Sequence, residues 1–245
     1  MTLLADSISK SFSGRRVLTS ARLRAERGKV AGLLGRMGSG KSTLLKICAG
    51  LIQPESGWIE LNGRKYLRTR RSTLAARGIF YLGETDNLAW TLTVDEHFNE
   101  IERRYGLAGR DEIFELLDLK PLLERKAHAL SGGEVRRVEI GLAFARRPAC
   151  VLLDEPFRSA DPILCERLGH CFRLLASHGC AVVVSGHEVN QLLPFLDSIT
   201  WVTSGTTHPL GSVESARAHE AFTREYLGPS MRRDSKSALD SDVTS

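Results

Sequence analysis

Nowhere in this chain of 245 residues does an apolar run approach the roughly 18 positions needed to cross a bilayer, and no N-terminal segment has the make-up of a secretory leader. A chain that is soluble by itself is expected. Cysteine is scarce and unpatterned: Cys48, Cys150, Cys165, Cys171 and Cys180 are odd in number and lack metal-ligand spacing. That argues against a disulfide framework or a zinc site and for reduced core thiols in a cytosolic protein. Aromatic residues make up only 7% of the chain. The basic clusters at Arg64, Lys65, Arg68, Arg70, Arg71 and Arg77, and at Arg103, Arg104 and Arg110, lack the aromatic interleaving on which single-strand binders stack bases. A net charge of +5 therefore fits a solvated or membrane-facing surface better than a nucleic-acid groove. There is no internal repeat. The 42% hydrophobic content and the length suit one large α/β domain with subdivisions.

The chain is organised around Gly35-Arg36-Met37-Gly38-Ser39-Gly40-Lys41-Ser42-Thr43, which fits the phosphate-binding pattern G-x-x-x-x-G-K-[ST] at every required position. Glycines let successive N–H groups turn inward around phosphates, Lys41 neutralises the terminal ones, and Ser42 offers a hydroxyl to Mg²⁺. Val30 to Leu34 before the loop reads as a buried parallel strand. Ser42 to Ala49 after it reads as a helix whose N-terminus faces the anion.

Thr2 to Gly28 reads as two strands around a turn at Ser13 to Arg16, a small sheet ahead of the loop. Phe12 in this segment is either a ring that stacks on a purine or an ordinary core residue. Trp58 to Leu61 alternates as a strand before the turn dipeptide Asn62-Gly63, and Ile79 to Leu82 is a strand that ends at Gly83-Glu84. From Asn87 to Lys126 the pattern is helical. Ser131-Gly132-Gly133-Glu134 then opens a further helix, a second place for an anion. The strand Ala149 to Leu153 ends in Asp154-Glu155, so paired carboxylates sit at the carboxyl edge of a parallel sheet, where such folds take ligands. A helix from Ile163 to Ser177, a strand from Ala181 to Ser185 ending at His187, a helix through Phe195 and two closing strands complete βαβ units. From Pro229 onward the composition predicts a disordered polar tail.

Phosphate loop, Leu130-Ser131-Gly132-Gly133-Glu134, Val151 to Pro156, Ser159-Ala160-Asp161 and His187 occur together in the order of one family. The chain resembles an ABC transporter ATP-binding subunit over about residues 2–228. The resemblance implies an α/β fold: a P-loop ABC ATPase core with a parallel sheet, an N-terminal antiparallel β subdomain and a helical insertion at about 87–148, in a domain of residues 1–228 with a tail of 229–245. It implies ATP and Mg²⁺ as cofactors. It also implies a head-to-tail pair, homodimeric or with another ABC ATPase subunit, in which the loop of one copy and Ser131 to Glu134 of the other sandwich each nucleotide. Lys41 would hold the β- and γ-phosphates, and Ser42, Asp154 and Glu84 would serve the metal. Glu155 would be the general base, His187 would hold the γ-phosphate or orient the water, and Asp161 would communicate across the pair.

The expected function is an ATPase that powers transport through separate transmembrane permease subunits, peripheral on the cytoplasmic face, touching the membrane only through its partner. Two other readings stand beside it: a soluble ABC-type ATPase acting on nucleic acid or ribosomes, and a weakly hydrolysing regulatory subunit. The last is motivated by Glu84, where the family usually carries Gln. Phe157, Arg158 and Ala160 also depart from the family pattern, which predicts altered coupling between sites.

Overall fold

The computed structural model describes residues 2–83, 88–106, 110–158 and 160–227. The predicted tail of 229–245 lies outside them. Two sheets organise the chain. β1 (Leu3–Phe12) and β2 (Arg15–Ala25) form a hairpin, and β3 (Val30–Leu34) leads into α1 (Lys41–Cys48). β4 (Ser56–Leu61), β5 (Arg64–Tyr66) and α2 (Arg71–Ala76) follow, then β6 (Ile79–Leu82). The antiparallel sheet has the order β2-β1-β4-β5. Asn62 (φ +50°) and Gly63 (φ +79°) make the left-handed turn between β4 and β5, the conformation that this dipeptide tolerates best.

α3 (Val94–Tyr105), α4 (Arg110–Leu116) and α5 (Gly132–Ala145) stand together before β7 (Cys150–Leu153). α6 (Pro162–Ser177) leads to β8 (Ala181–Gly186). α7 (Val189–Leu192), β9 (Ser198–Thr203), β10 (Thr206–Gly211), α8 (Val213–Ala218) and α9 (Glu220–Phe222) follow, and a π-helical turn (Thr223–Leu227) ends the described chain. The second sheet has the order β10-β9-β3-β8-β7-β6, parallel except for its edge strand β10. The expected helix through Phe195 stops at Leu192 and gives way to a 3₁₀ turn, because Pro194 has no N–H to continue the ladder.

Burial on both faces explains why the inner strands are apolar runs rather than alternating ones. Val30, Leu34, Val151, Leu153, Val182 and Val184 face the helices α3 to α6, while Leu33, Leu152 and Val183 face α1. α1 is thereby enclosed between the two sheets by Leu44, Leu45, Ile47 and Cys48. Each such fully buried Leu or Val contributes about 1.5–3 kcal/mol relative to exposure. Phe157, one of the departures from the family pattern, is a core side chain stacked on Phe172 at 5.7 Å. All five cysteines are buried free thiols, and burial pushes Cys48 and Cys180 up to about 12.

Asp197 fixes the start of β3. Its Oδ2 accepts the Val30 N–H at 2.8 Å and Arg173 Nη1 at 2.7 Å, and Lys29 stands 3.8 Å from Oδ1. Partial burial pushes this carboxyl up, but the Val30 bond, Arg173 and Lys29 together hold it below its usual value. The folded state therefore gains stability above the unfolded carboxyl value of about 3.9 and loses it as pH falls through the lower folded one. Asp197→Asn is expected to cost about 1–2 kcal/mol at pH 7 in urea unfolding, allowing for the half-exposed Arg173. The difference from the parent protein should shrink below about pH 4. An equal cost at pH 3 and pH 7 would remove the carboxylate from this account.

Candidate nucleotide site

The phosphate loop follows from the end of β3 and is wedged between neighbours. A Cβ on Gly35 would lie 2.5 Å from the Val202 carbonyl oxygen, and one on Gly40, whose φ is +106°, 2.7 Å from Leu18 Cδ2. Only glycine fits either place. Lys41 is 4% exposed, and its Nζ donates to the carbonyl oxygens of Gly35 at 2.8 Å and Arg36 at 3.0 Å. Burial lowers its pKa, while the charges of Glu155 and Asp154 pull the other way. Ser39 Oγ is buried without a hydrogen-bond partner among the described residues, and Thr43 is half-buried one turn on. Arg36, Met37 and Gly38 form an exposed crest. Arg36 Nε meets Glu225 at 3.1 Å, which ties the loop to the last described turn of the chain.

Opposite the loop, β7 delivers the carboxylates. Asp154 is 1% exposed and accepts three hydroxyls: Ser42 at 3.0 Å and Ser185 at 2.7 Å on Oδ1, and Tyr81 at 3.0 Å on Oδ2. Glu155 sits in the left-handed region at φ +48°, with its N–H donated to Ser185 Oγ at 3.0 Å. A non-glycine residue held there stores strain of about 1–3 kcal/mol, which surrounding structure must over-determine. Its Oε1 is 3.6 Å from Lys41 Nζ, and its Oε2 is 3.4 Å from His187 Nδ1. That ring nitrogen is buried but lacks the alignment of a hydrogen bond to Glu155, so proximity alone relates them.

Tyr81 and Ser185 are not singled out by any sequence pattern. Both belong to strands flanking β7, and only the pairing of β6 and β8 with it shows that their hydroxyls reach Asp154 and Glu155. Gly83 allows the Tyr81 ring its pose, since a Cβ there would stand 2.8 Å from Cε1. Tyr81→Phe removes one of the three donors to a buried carboxylate, at an expected cost of about 1.5–3 kcal/mol in urea unfolding. A loss below about 0.5 kcal/mol would mean that the phenol contributes no net bond there.

The segment Ser131 to Glu134 lies elsewhere, at the start of α5. Ser131 Oγ accepts the Glu134 N–H at 3.4 Å and Glu134 Oε2 accepts the Ser131 N–H at 2.7 Å, a reciprocal cap. The Ser131 N–H above all, with the Ser131 hydroxyl and Arg125 at 2.7 Å from Oε1, holds the Glu134 carboxyl below its usual value against the opposing effect of burial. Glu134 is thus turned to its own helix. The N–H groups of Gly132 and Gly133 occupy the first turn, where no intrahelical acceptor exists. Asp161 caps α6 through Leu164 N–H at 2.8 Å. Asp161 and the Ser131 segment line one cleft of about 310 Å³ together with Arg137 and Arg167, and no phosphate-loop residue lines it.

The expected residues thus fall into two groups: the loop with Asp154, Glu155 and His187, and the Ser131 segment with Asp161. Phe12 is 43% exposed at the tip of the β1–β2 hairpin, with Lys10 Nζ 5.4 Å from its ring centre. That hairpin touches the loop through Val17 and Leu18 against Gly40. Phe12 is therefore no core residue. Glu84 and Ser159 lie outside the described residues.

Residues 18–158 match the family described as "ABC transporter". Among similar proteins is a "Probable ABC transporter ATP-binding protein" of Azorhizobium caulinodans, 34% identical, with 94% of this chain and 84% of the other covered. Another is the lipopolysaccharide export system ATP-binding protein LptB of Haemophilus influenzae, 31% identical over 94% of this chain and 98% of its own. A solved ATP-binding subunit of an ABC transporter superposes with a TM-score of 0.78 at 25% identity, covering 93% of this chain and 96% of that one. The fold is shared too with a dimeric bacterial ABC transporter cassette, at a TM-score of 0.73 and 24% identity over 85% and 98% of the two chains.

Proposed function

The chain belongs to the ABC transporter family as an ATP-binding, ATP-hydrolysing subunit that powers transport through separate transmembrane subunits, and on that premise we propose how its residues divide the work. No described helix is long and apolar enough to cross a membrane. The transport path belongs to the partner, and in our reading this chain sits against the partner's cytoplasmic face.

The observation that carries the residue assignment is the separation of the two groups. Lys41, Asp154, Glu155 and His187 face one another around the loop, whereas the free N–H groups at the start of α5 line a different cleft with Asp161. Each group is half of an anion site, and a head-to-tail pair joins the loop of one copy to the α5 start of the other. Gly35 to Thr43 cradle the phosphates, with the unpartnered Ser39 Oγ supplying a further polar group. Lys41 exchanges the carbonyls of Gly35 and Arg36 for the β- and γ-phosphates. Phe12, exposed on the hairpin whose second strand meets the loop, stacks on the purine.

Mg²⁺ fits the donor set. Ser42 Oγ and Asp154 Oδ1 are hard oxygens 3.0 Å apart beside the phosphate loop, as suits a cation that arrives with phosphates. Bound there, it would offset the charge of the phosphate oxygens. Glu84 joins the metal's surroundings in this reading. Glu155 Oε2 takes the proton of the attacking water, and His187 orients that water or the γ-phosphate. Asp161 relays between the two halves. The transmembrane partner seats a short helix in the groove of about 410 Å³ between β6 and the helices α3 and α5, walled by Phe80, Leu88, Leu92, Ile101 and Leu142.

Turnover of Mg²⁺-ATP measured against protein concentration tests the paired site. A rate that rises more than linearly before levelling off is expected, because neither half is complete alone. Strictly linear turnover by a chain that stays monomeric with ATP would sink it.

A further inference from the structure

At the end of the large sheet where β3, β7 and β8 begin, a cleft of about 590 Å³ opens beside the C-terminal ends of α5 and α6. The length of β3, about 16 Å at the rise of a strand, separates it from the phosphate loop. Phe144, Pro148 and Leu175 supply the apolar part of a mixed lining, and its rim carries Arg27, Arg147 and His178. Among the described residues, no carboxylate lines it.

Several guanidiniums of the chain are already paired. Arg24, Arg36, Arg125, Arg137 and Arg173 each meet a carboxylate within 3.2 Å. Among the described residues, no acceptor pairs with the side chain of Arg27 or Arg147. The backbone places both. Arg147 follows the C-cap of α5 at φ +50°, a left-handed position that glycine usually fills. Gly179 has φ +83°, and a Cβ on it would stand 3.0 Å from Arg27 Nε, so glycine leaves room for that guanidinium across the cleft.

Arginines near helix C-termini also complement helix dipoles, and magnitudes separate the two roles. The ends of α5 and α6 bring about half a negative charge each, against two full positive charges. About one positive charge remains beyond what the helix ends offset, held at the exposed rim of the cleft.

We propose that this cleft binds a small organic anion, a phosphate or carboxylate group on a flat apolar body. Arg27 and Arg147 grip the anion by charge-assisted bonds, and the body lies along Phe144 and Leu175 with the His178 ring, edge-on to Phe144 at 5.4 Å, at its margin. A ligand there braces the far end of α5, the helix that opens with Gly132 and Gly133. The cleft is in this reading an effector site at the opposite end of the sheet from the phosphate loop.

Phenyl phosphate is the probe, titrated calorimetrically into the full chain with a saturating non-hydrolysable ATP analogue covering the phosphate loop. Inorganic phosphate and phenol are parallel arms. Saturable binding of phenyl phosphate is expected, at least about tenfold tighter than either arm and at least tenfold weaker in an Arg27→Gln/Arg147→Gln variant. Those side chains make no bonds among the described residues, so the variant should lose only their helix-end charge, and cooperative thermal unfolding close to that of the parent is the control. No saturation by about 10 mM, equal binding of phenol, or undiminished binding in the variant would each overturn the proposal.

Discussion

Replacing Glu155 by Gln is expected to lower ATP turnover by about 10²–10⁴-fold while leaving nucleotide binding within a few-fold of the parent. The substitution keeps the shape of a side chain whose backbone is already committed: φ is +48° and the N–H is held by Ser185. It removes the acceptor on the same carboxylate that stands 3.6 Å from Lys41 and 3.4 Å from His187. Single-turnover hydrolysis and equilibrium binding of a fluorescent ATP analogue separate the two effects. Turnover within about threefold of the parent would show that proton transfer is served elsewhere.

Gly132→Asp is expected to abolish turnover by a different route, by at least about 100-fold, without weakening nucleotide binding to the single chain. Among the described residues, nothing lies within 4 Å of a Cβ at Gly132, so the side chain fits. An acid in the first turn of α5 also suits the helix dipole, which protects folding. What it spoils is the approach of a phosphate to the free N–H groups, by placing like charge beside them. If nucleotide affinity of the isolated chain falls in parallel with turnover, the segment serves its own copy's loop and the head-to-tail arrangement fails.

Features that depend on neighbours along the chain are legible in the amino-acid order alone. The loop at Gly35 to Thr43, the cap and glycines at Ser131 to Glu134 and the strand-end pair Asp154-Glu155 each carry their chemistry within a few residues. So do the apolar runs that form β3, β7 and β8. What depends on strand order is not legible in that way. Tyr81 and Ser185 gain their meaning only because β6 and β8 flank β7, and Phe157 is a core ring because α6 brings Phe172 beneath it. α2 is hidden in the basic stretch from Arg64 to Arg77, where only Leu74 of the helix is buried and no apolar stripe announces it. The tie between Arg36 and Glu225 joins the loop to the far end of the described chain, a contact that no local pattern encodes.

The buried thiols have a practical corollary for watching this molecule at work. With every native thiol inside the fold, and Cys48 and Cys180 pushed up to about 12 by burial, the folded surface is chemically silent towards maleimides at neutral pH. One engineered cysteine at the exposed Met37 and another at the exposed Ser131 would then be the sole reactive handles, on a native background that needs no deletions. A short bifunctional cross-linker spanning them would turn the meeting of two copies into a band on a gel.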